Sequence, residues 1–199
     1  MIYPANSWWE LVEKGLSQGD LLPKCLVPII PNNLDDIYIE QNNRSRETAT
    51  GSSVTSTGNN LLSRQGVIPT DLIIVTQSCD IGNGKTSAIA LAQYITLTEY
   101  QNLKTYNNEK EKTSDKNSIR NRRVEGILML PPPDPLTSPD YLIVNFREIF
   151  SLPFNYIDKH SATIKPRFTL KNPYKEYFSQ TFGSYYMRVA LSDIIPPFK

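Results

Sequence analysis

The hydrophobic positions of this chain fall into short runs that polar or proline-containing segments separate, a pattern typical of a β-rich protein. Strands are predicted at residues 21–30, 71–76, 88–96, 124–130 and 141–146. Residues 71–76 are continuously apolar and predict a central strand. Pro23 and Pro28 cannot donate hydrogen bonds to a β-ladder, so the first of these strands is predicted at a sheet edge.

Three segments instead carry apolar residues at helical spacing. Residues 7–17 begin with Ser7 and Glu10 at the spacing of a capping box, which predicts an N-terminal helix. Residues 97–112 predict a second helix. Residues 171–191 predict a C-terminal helix, with Asn172 as its N-cap, Pro173 in its first turn and a stripe of aromatic residues along one face.

Residues 31–65 differ sharply from the rest of the chain in composition. Most are Asn, Ser, Thr, Gly, Arg or Glu, and they offer too little apolar area to offset the entropy lost on ordering. We therefore predict a flexible polar insertion at 31–65 within a single domain that spans residues 1–199.

The composition excludes several classes of protein. The chain has 199 residues, a formal net charge of +1, two cysteines and one histidine. Two cysteines cannot build a disulfide framework, and Cys25, Cys79 and His160 lack the spacing of metal ligands. No apolar run is long enough to span a membrane, and no secretory signal is visible. The prediction is a cytoplasmic protein without metal, cofactor or membrane partner.

One polar cluster follows the predicted central strand, where binding and catalytic groups are often built. It consists of Gln77, Ser78, Cys79 and Asp80, which we treat as candidate catalytic residues. Cys79 is a candidate nucleophile, and His160 is the only histidine that could act as its base. The alternative is structural, with Ser78 and Asp80 capping a turn and Cys79 filling the core.

The segment 82–86 ends in Gly-Lys-Thr, as a phosphate-binding loop does. A Walker A motif would require a glycine at the position of Cys79 and a helix afterwards, whereas a predicted strand follows. The segment is predicted to be a turn.

Two further surfaces are candidates for binding nucleic acid or a protein partner. The segment 112–123 carries five basic residues against Asp115, among them Lys116, Arg120, Arg122 and Arg123. The C-terminal helix contributes Tyr177, Tyr185 and Arg188, and Arg64 in the polar insertion is a further candidate. The alternatives are an ordinary solvated helix face and an aromatic stripe that belongs to the core.

The order of these elements resembles the SH3-like barrel of the MazF/PemK toxin family. The resemblance covers residues 19–160. It rests on Gly19-Asp20 opening a strand, on the apolar strand that leads to Ser78, and on the segment 141–151, YLIVNFREIFS. It implies an α+β fold that is mainly β, a PemK-like barrel with N-terminal and C-terminal helices. It also implies a metal-independent endoribonuclease, with Arg64 and Thr96 or Thr98 beside residues 77–80 in an RNA-binding groove.

The chain also resembles a group of uncharacterised bacterial proteins with the motifs SQSCDL and PYREHLSQAFARFFMRVGLP. The corresponding segments here are 76–81, TQSCDI, and the region from Arg167 to Val189. This resemblance implies no established activity. Three functions remain open: a conflict-system protein (toxin–antitoxin or anti-phage defence) that binds a protein partner encoded nearby or RNA or DNA, a MazF-like endoribonuclease, and a Cys79-dependent hydrolase.

Overall fold

A computed structural model describes residues 7–29, 66–134 and 136–187 of the chain. These residues form a mixed α+β structure made mostly of strands. The strands are β1 (Trp9–Val12), β2 (Leu21–Pro28), β3 (Val67–Ile74), β4 (Ala88–Thr96), β5 (Ile127–Leu130), β6 (Leu142–Pro153) and β7 (Arg167–Leu170). The helices are α1 (Ser78–Gly82), α2 (Leu97–Asn102), α3 (Glu109–Arg120), α4 (Phe154–Thr163) and α5 (Tyr174–Tyr186).

The larger sheet has the strand order β2-β3-β4-β6-β5. Strand β4 is antiparallel both to β3 and to β6, and it pairs with β6 from Ala88↔Pro153 to Thr96↔Leu142. The chain divides into two compact units, Cys25–Thr70 and the remainder. In the smaller unit the described residues are the ends of β2 and β3 with their adjoining residues, among which Cys25 and Val27 are buried.

Residues 7–17 do not form the helix that their spacing predicts. Residues 9–12 are instead strand β1, which pairs antiparallel with β7 in the register Trp9↔Leu170 to Val12↔Arg167. The Ser7 hydroxyl accepts the N–H of Trp9 rather than that of Glu10. The buried Trp9 ring donates its Nε1–H to the carbonyl of Pro131 at 2.9 Å. Burial of Trp9 and pairing with β7 override the local helical pattern.

The described strands do not close into the barrel that the resemblance implies. Strands β1 and β7 pair with each other as a separate two-stranded sheet. The main core gathers side chains from both sheets and from α5; its largest fully buried members are Trp9, Phe146, Phe178, Ile73 and Leu130. The coarser prediction, a mainly β chain with added helices, is confirmed.

The helical predictions are correct in part. The C-terminal helix forms as α5, but Pro173 occupies its N-cap position without a side-chain bond, so the capping role predicted for Asn172 is wrong. Residues 97–112 do not form one helix, because α2 ends at Asn102 and α3 begins at Glu109. The side chain of Asn108 caps α3 by accepting the N–H of Glu111. The polar insertion predicted at 31–65 lies outside the described residues.

Candidate nucleic-acid interface

Residues from the predicted basic segment and from the predicted aromatic helix meet at one surface cavity of about 300 Å³. We call it the Arg–aromatic pocket, and its lining residues are Trp8, Arg120, Arg122, Met129, Pro131, Tyr141 and Tyr177. These side chains come from five separate stretches of the chain. The volume lies at the lower end of the range for pockets that bind small molecules or single groups of a larger ligand.

The end of helix α3 positions the two arginines. Arg120 is the last residue of α3 and Asn121 is its C-cap. Arg122 follows with a φ of +57°, in the left-handed region, and its N–H donates to the carbonyl of Ile119 at 2.9 Å. This reversal turns the chain and brings the Arg122 guanidinium over the Tyr177 ring, with 4.3 Å between Cζ and the ring centroid.

Aromatic rings from Trp8, just before β1, and from α5 line the pocket next to the arginines. Trp8 stacks on Tyr174 with 4.3 Å between the ring centroids, and it meets the edge of Tyr177 at 5.7 Å. Adjacent side chains of an extended segment point in opposite directions, so the burial of Trp9 leaves Trp8 toward the pocket. Trp8, Tyr174 and Tyr177 therefore pack against one another and form an aromatic surface next to the cations Arg120 and Arg122.

The charged residues that line the pocket are both arginines, and Asp115, the acidic residue of α3 closest to them in sequence, is engaged elsewhere. Asp115 accepts hydrogen bonds from Lys104 at 3.0 Å and from the Tyr106 hydroxyl at 2.7 Å. Burial, together with this bond to Asp115, raises the pKa of Tyr106. Lys116 lies 5.8 Å from the Tyr141 ring centroid. Within the described residues, no ion pair includes Lys116, Arg120 or Arg122.

Other predicted contact residues lie away from this pocket. Arg123 lines a shallow depression along α3 together with Lys110 and Asn117. Tyr185 packs against the core and over Gly126, where a Cβ would come within 2.9 Å of its ring. Arg64 and Arg188 lie outside the described residues.

The predicted catalytic cluster lies at the start of α1, where Ser78 takes part in a polar network. The Ser78 hydroxyl accepts the N–H of Gln18 at 3.1 Å and lies 2.9 Å from the hydroxyl of Ser17. The Lys175 ammonium donates to Ser17 at 2.7 Å. Ser78 therefore joins α1 to the turn before β2, and Ser17 continues the network to α5. This role is structural, but it is not the turn capping predicted for Ser78, because the start of α1 has no side-chain cap.

Cys79 and His160 do not form a nucleophile–base pair. Cys79 is exposed, so the alternative that it fills the core is wrong; its Sγ lies 3.7 Å from Gln77 Oε1 and 3.9 Å from Asp80 Oδ1. The Nε2 of His160 instead bonds to the carbonyl of Pro23 at 3.0 Å.

The groove predicted for a ribonuclease is not assembled in the described part of the chain. Thr76, next to the 77–80 cluster, binds the N–H of Ala90, whereas Thr96 lies at the far end of β4. The Thr96 hydroxyl is engaged with Glu99 in the capping box of α2. Thr98 is the next but one residue in that helix, and its N–H donates to Asp140.

No pattern in the sequence predicts the buried ion pair between Asp20 and Arg167. Arg167 Nε donates to Asp20 Oδ2 at 2.8 Å, and both side chains are almost fully buried. The two terminal nitrogens of Arg167 are also buried, and neither has a hydrogen-bond partner among the described residues. Burial raises the pKa of Asp20, despite the opposing effects of Thr169, Arg167 and the Ser17 N–H. Both residues belong to motifs quoted above, but their pairing needs the packed fold.

Among the described residues, no three His, Cys, Asp or Glu side chains cluster as metal ligands. None of the described helices has the length and apolar character needed to cross a membrane. Comparison of the chain with protein-family models, with curated proteins and with solved structures gave no match.

Proposed function

We propose that the chain is a nucleic-acid-binding protein that holds a single strand of RNA in the Arg–aromatic pocket. The observation that carries this proposal is the meeting of Arg120, Arg122 and Tyr177 with Trp8 at one cavity. Aromatic faces stack on bases of any sequence, and neighbouring arginines and lysines neutralise phosphates.

Charge favours nucleic acid over a protein partner. Lys116, Arg120 and Arg122 are exposed and have no ion-pair partners among the described residues. Protein interfaces are enriched in arginine and aromatic residues but depleted of lysine, so it is Lys116 beside two unpaired arginines that distinguishes this surface from a protein interface. A phosphate backbone supplies the missing anions, and a base can pack beside Trp8 and Tyr177.

Binding of a fluorescent single-stranded oligoribonucleotide, followed by anisotropy at several salt concentrations, tests the proposal. Three phosphate contacts predict a slope of about −2 in a plot of log affinity against log salt. The triple variant Lys116→Ala, Arg120→Ala, Arg122→Gly should lose most of the binding and most of the slope. The matched control Lys110→Ala, Lys112→Ala, Arg123→Ala removes the same charge from the same region and should retain the binding.

Equal losses in both triple variants would show a diffuse charge effect and would overturn the pocket as the site. A protein that binds no oligoribonucleotide even at low salt would overturn the function. The same titration with a single-stranded DNA oligonucleotide shows whether the 2′-hydroxyl of RNA contributes to the affinity.

The biological setting that we propose, a bacterial conflict system, rests on the sequence resemblance. An RNA-binding surface is compatible with it. A ribonuclease would in addition shorten the oligoribonucleotide, which gel electrophoresis of the anisotropy samples detects. The geometry around Thr96 and residues 77–80 does not favour that activity.

A further inference from the structure

A second cavity, of about 370 Å³, lies over the face of the larger sheet that points away from the main core. Its floor is apolar and consists of Ile95 on β4, Ile127 on β5 and Ile143 on β6. Tyr100 and Leu103, in and just after α2, form its mouth. We call it the sheet-face pocket; no residue of it lines the Arg–aromatic pocket.

A large irregularity in β6 builds one wall of the sheet-face pocket. Ala92 of β4 pairs with Ile149, but the next residue, Gln93, pairs with Asn145. Residues 146–148 of β6 therefore have no partners on β4 and bulge from the ladder. Bulges of this kind re-aim side chains and are common next to functional sites.

The bulge is held in place from outside the pocket. The N–H of Phe146 donates to the carbonyl of Gly126 at 2.8 Å, and the Phe146 carbonyl accepts the Tyr186 hydroxyl at 2.7 Å. The Arg147 guanidinium donates to the carbonyl of Glu125 at 2.6 Å. The pocket wall is thus preorganised, which lowers the entropic cost of binding a ligand.

Three polar side chains line the pocket and retain unused hydrogen-bonding capacity. The Gln93 side chain makes no hydrogen bond among the described residues, and the Asn145 side chain uses only its Oδ1, which accepts the N–H of Arg147. Glu148 is exposed and has no ion-pair partner among them. Lys104, at the mouth, is already paired with Asp115. The pocket therefore offers one uncompensated carboxylate and two amides above an apolar floor.

We propose that the sheet-face pocket binds a guanine base. A carboxylate only accepts hydrogen bonds, so Glu148 selects a ligand edge with adjacent N–H donors. Guanine presents two on its Watson–Crick edge, N1–H and the exocyclic amino group. Adenine and cytosine place an acceptor nitrogen beside their amino group, and uracil flanks its single N–H with carbonyls. The O6 and N7 atoms of guanine are acceptors, and the Asn145 Nδ2 and Gln93 amide groups can donate to them, whereas the choice of guanine over the other bases rests on Glu148.

This inference does not depend on the RNA-binding function proposed above. Calorimetric titration of the full chain with guanosine, adenosine, cytidine and uridine tests it. Guanosine should bind, and the other three nucleosides should bind at least about ten-fold more weakly, since a site left with unpaired polar groups rejects mismatched ligands.

Single substitutions show whether Glu148 binds guanosine. Glu148→Gln is nearly isosteric at an exposed position and should weaken guanosine binding about ten-fold or more. Glu13→Gln, which removes one exposed carboxylate elsewhere, should bind guanosine normally. Arg122→Gly should also bind guanosine normally, so failure of the RNA-binding proposal and failure of this one are distinguishable.

A guanine base could come from a free nucleotide or from an RNA strand, and a comparison of guanosine with the tetranucleotide UUGU separates these sources. Measured in Arg122→Gly, which weakens the Arg–aromatic pocket, tighter binding of guanosine assigns the free form. Binding of UUGU tighter than that of both guanosine and UUUU assigns the strand. No guanosine binding at millimolar concentration would overturn the proposal. So would equal binding of adenosine, or an unchanged affinity in Glu148→Gln.

Discussion

The guanidinium of Arg122 lies 4.3 Å above the ring of Tyr177, which joins the loop after α3 to the first turns of α5. Arg122 reaches this position only because its backbone adopts a left-handed conformation. A residue with a side chain pays for that conformation in free energy, whereas glycine does not. The contact therefore connects a locally unfavourable backbone to the pocket that we propose for RNA.

Replacement of Arg122 by glycine should separate binding from stability. Arg122→Gly relieves about 1 kcal/mol of backbone strain and loses a cation–π contact of similar size, so the free energy of unfolding should change by less than about 1 kcal/mol. Affinity for single-stranded RNA should fall roughly ten-fold at low salt. Urea unfolding and fluorescence anisotropy measure the two quantities. A large loss of stability, or an affinity loss no greater than that of Arg123→Ala, would contradict this account.

Trp8 should report RNA binding through its fluorescence. It lines the Arg–aromatic pocket, whereas Trp9, the other tryptophan of the chain, is buried and bonded to Pro131. Base stacking near Trp8 should quench the emission of the natural chain. Trp8→Phe should abolish the quenching while keeping an aromatic ring in the pocket. Quenching that persists in Trp8→Phe would place the strand elsewhere.

Substituting only one partner of the buried Asp20–Arg167 ion pair should lower the free energy of unfolding much more than replacing both partners with uncharged residues. Asp20→Asn leaves the Arg167 charge buried without a counter-charge and should cost about 3–5 kcal/mol of stability. The double variant Asp20→Asn, Arg167→Met removes both charges and should recover most of that loss. Chemical denaturation of both variants measures the difference. Equal losses would show that the ion pairing is not the origin of the effect.

The capping box of α2 should make stability depend on pH in the acidic range. Hydrogen bonds from the backbone N–H and hydroxyl of Thr96 lower the pKa of Glu99 below its ordinary 4.5. A lowered folded pKa means that the stabilisation is complete above the unfolded pKa and is lost as the pH falls through the folded one. The stability advantage over Glu99→Gln should therefore shrink during acidification. Thermal unfolding of both proteins between neutral and acidic pH measures it, and parallel curves would contradict the prediction.

The two cysteines should differ in accessibility. Cys79 is exposed and Cys25 is fully buried. Iodoacetamide should therefore modify the folded chain at Cys79 and the urea-unfolded chain at both positions, as intact mass spectrometry detects. Folded Cys79→Ser should take up no label. Modification of Cys25 in the folded protein would show that the edge around β2 opens.

Local patterns predicted much of the secondary structure. The apolar run at 71–76 and the segment 88–96 form strands because β-branched and apolar residues in short runs bury well in a sheet. Residues 9–12 were predicted to be helical because Trp8, Leu11 and Val12 also fit a helical stripe. The choice between the two structures depended on β7, which lies far away in sequence, so no local pattern could reveal it.

For the candidate site, too, local patterns indicate individual residues but not which of them come together in space. Charge and aromatic content indicated Arg120, Arg122 and Tyr177 as separate contact residues, but neither Trp8 nor Tyr141 was connected with them. The sequence by itself determined which side chains can neutralise phosphate or stack on a base, because that chemistry belongs to the residue type. Only the tertiary structure decided that these side chains share one pocket, because long-range packing, the pairing of β1 with β7 and the turn at Arg122 bring them together.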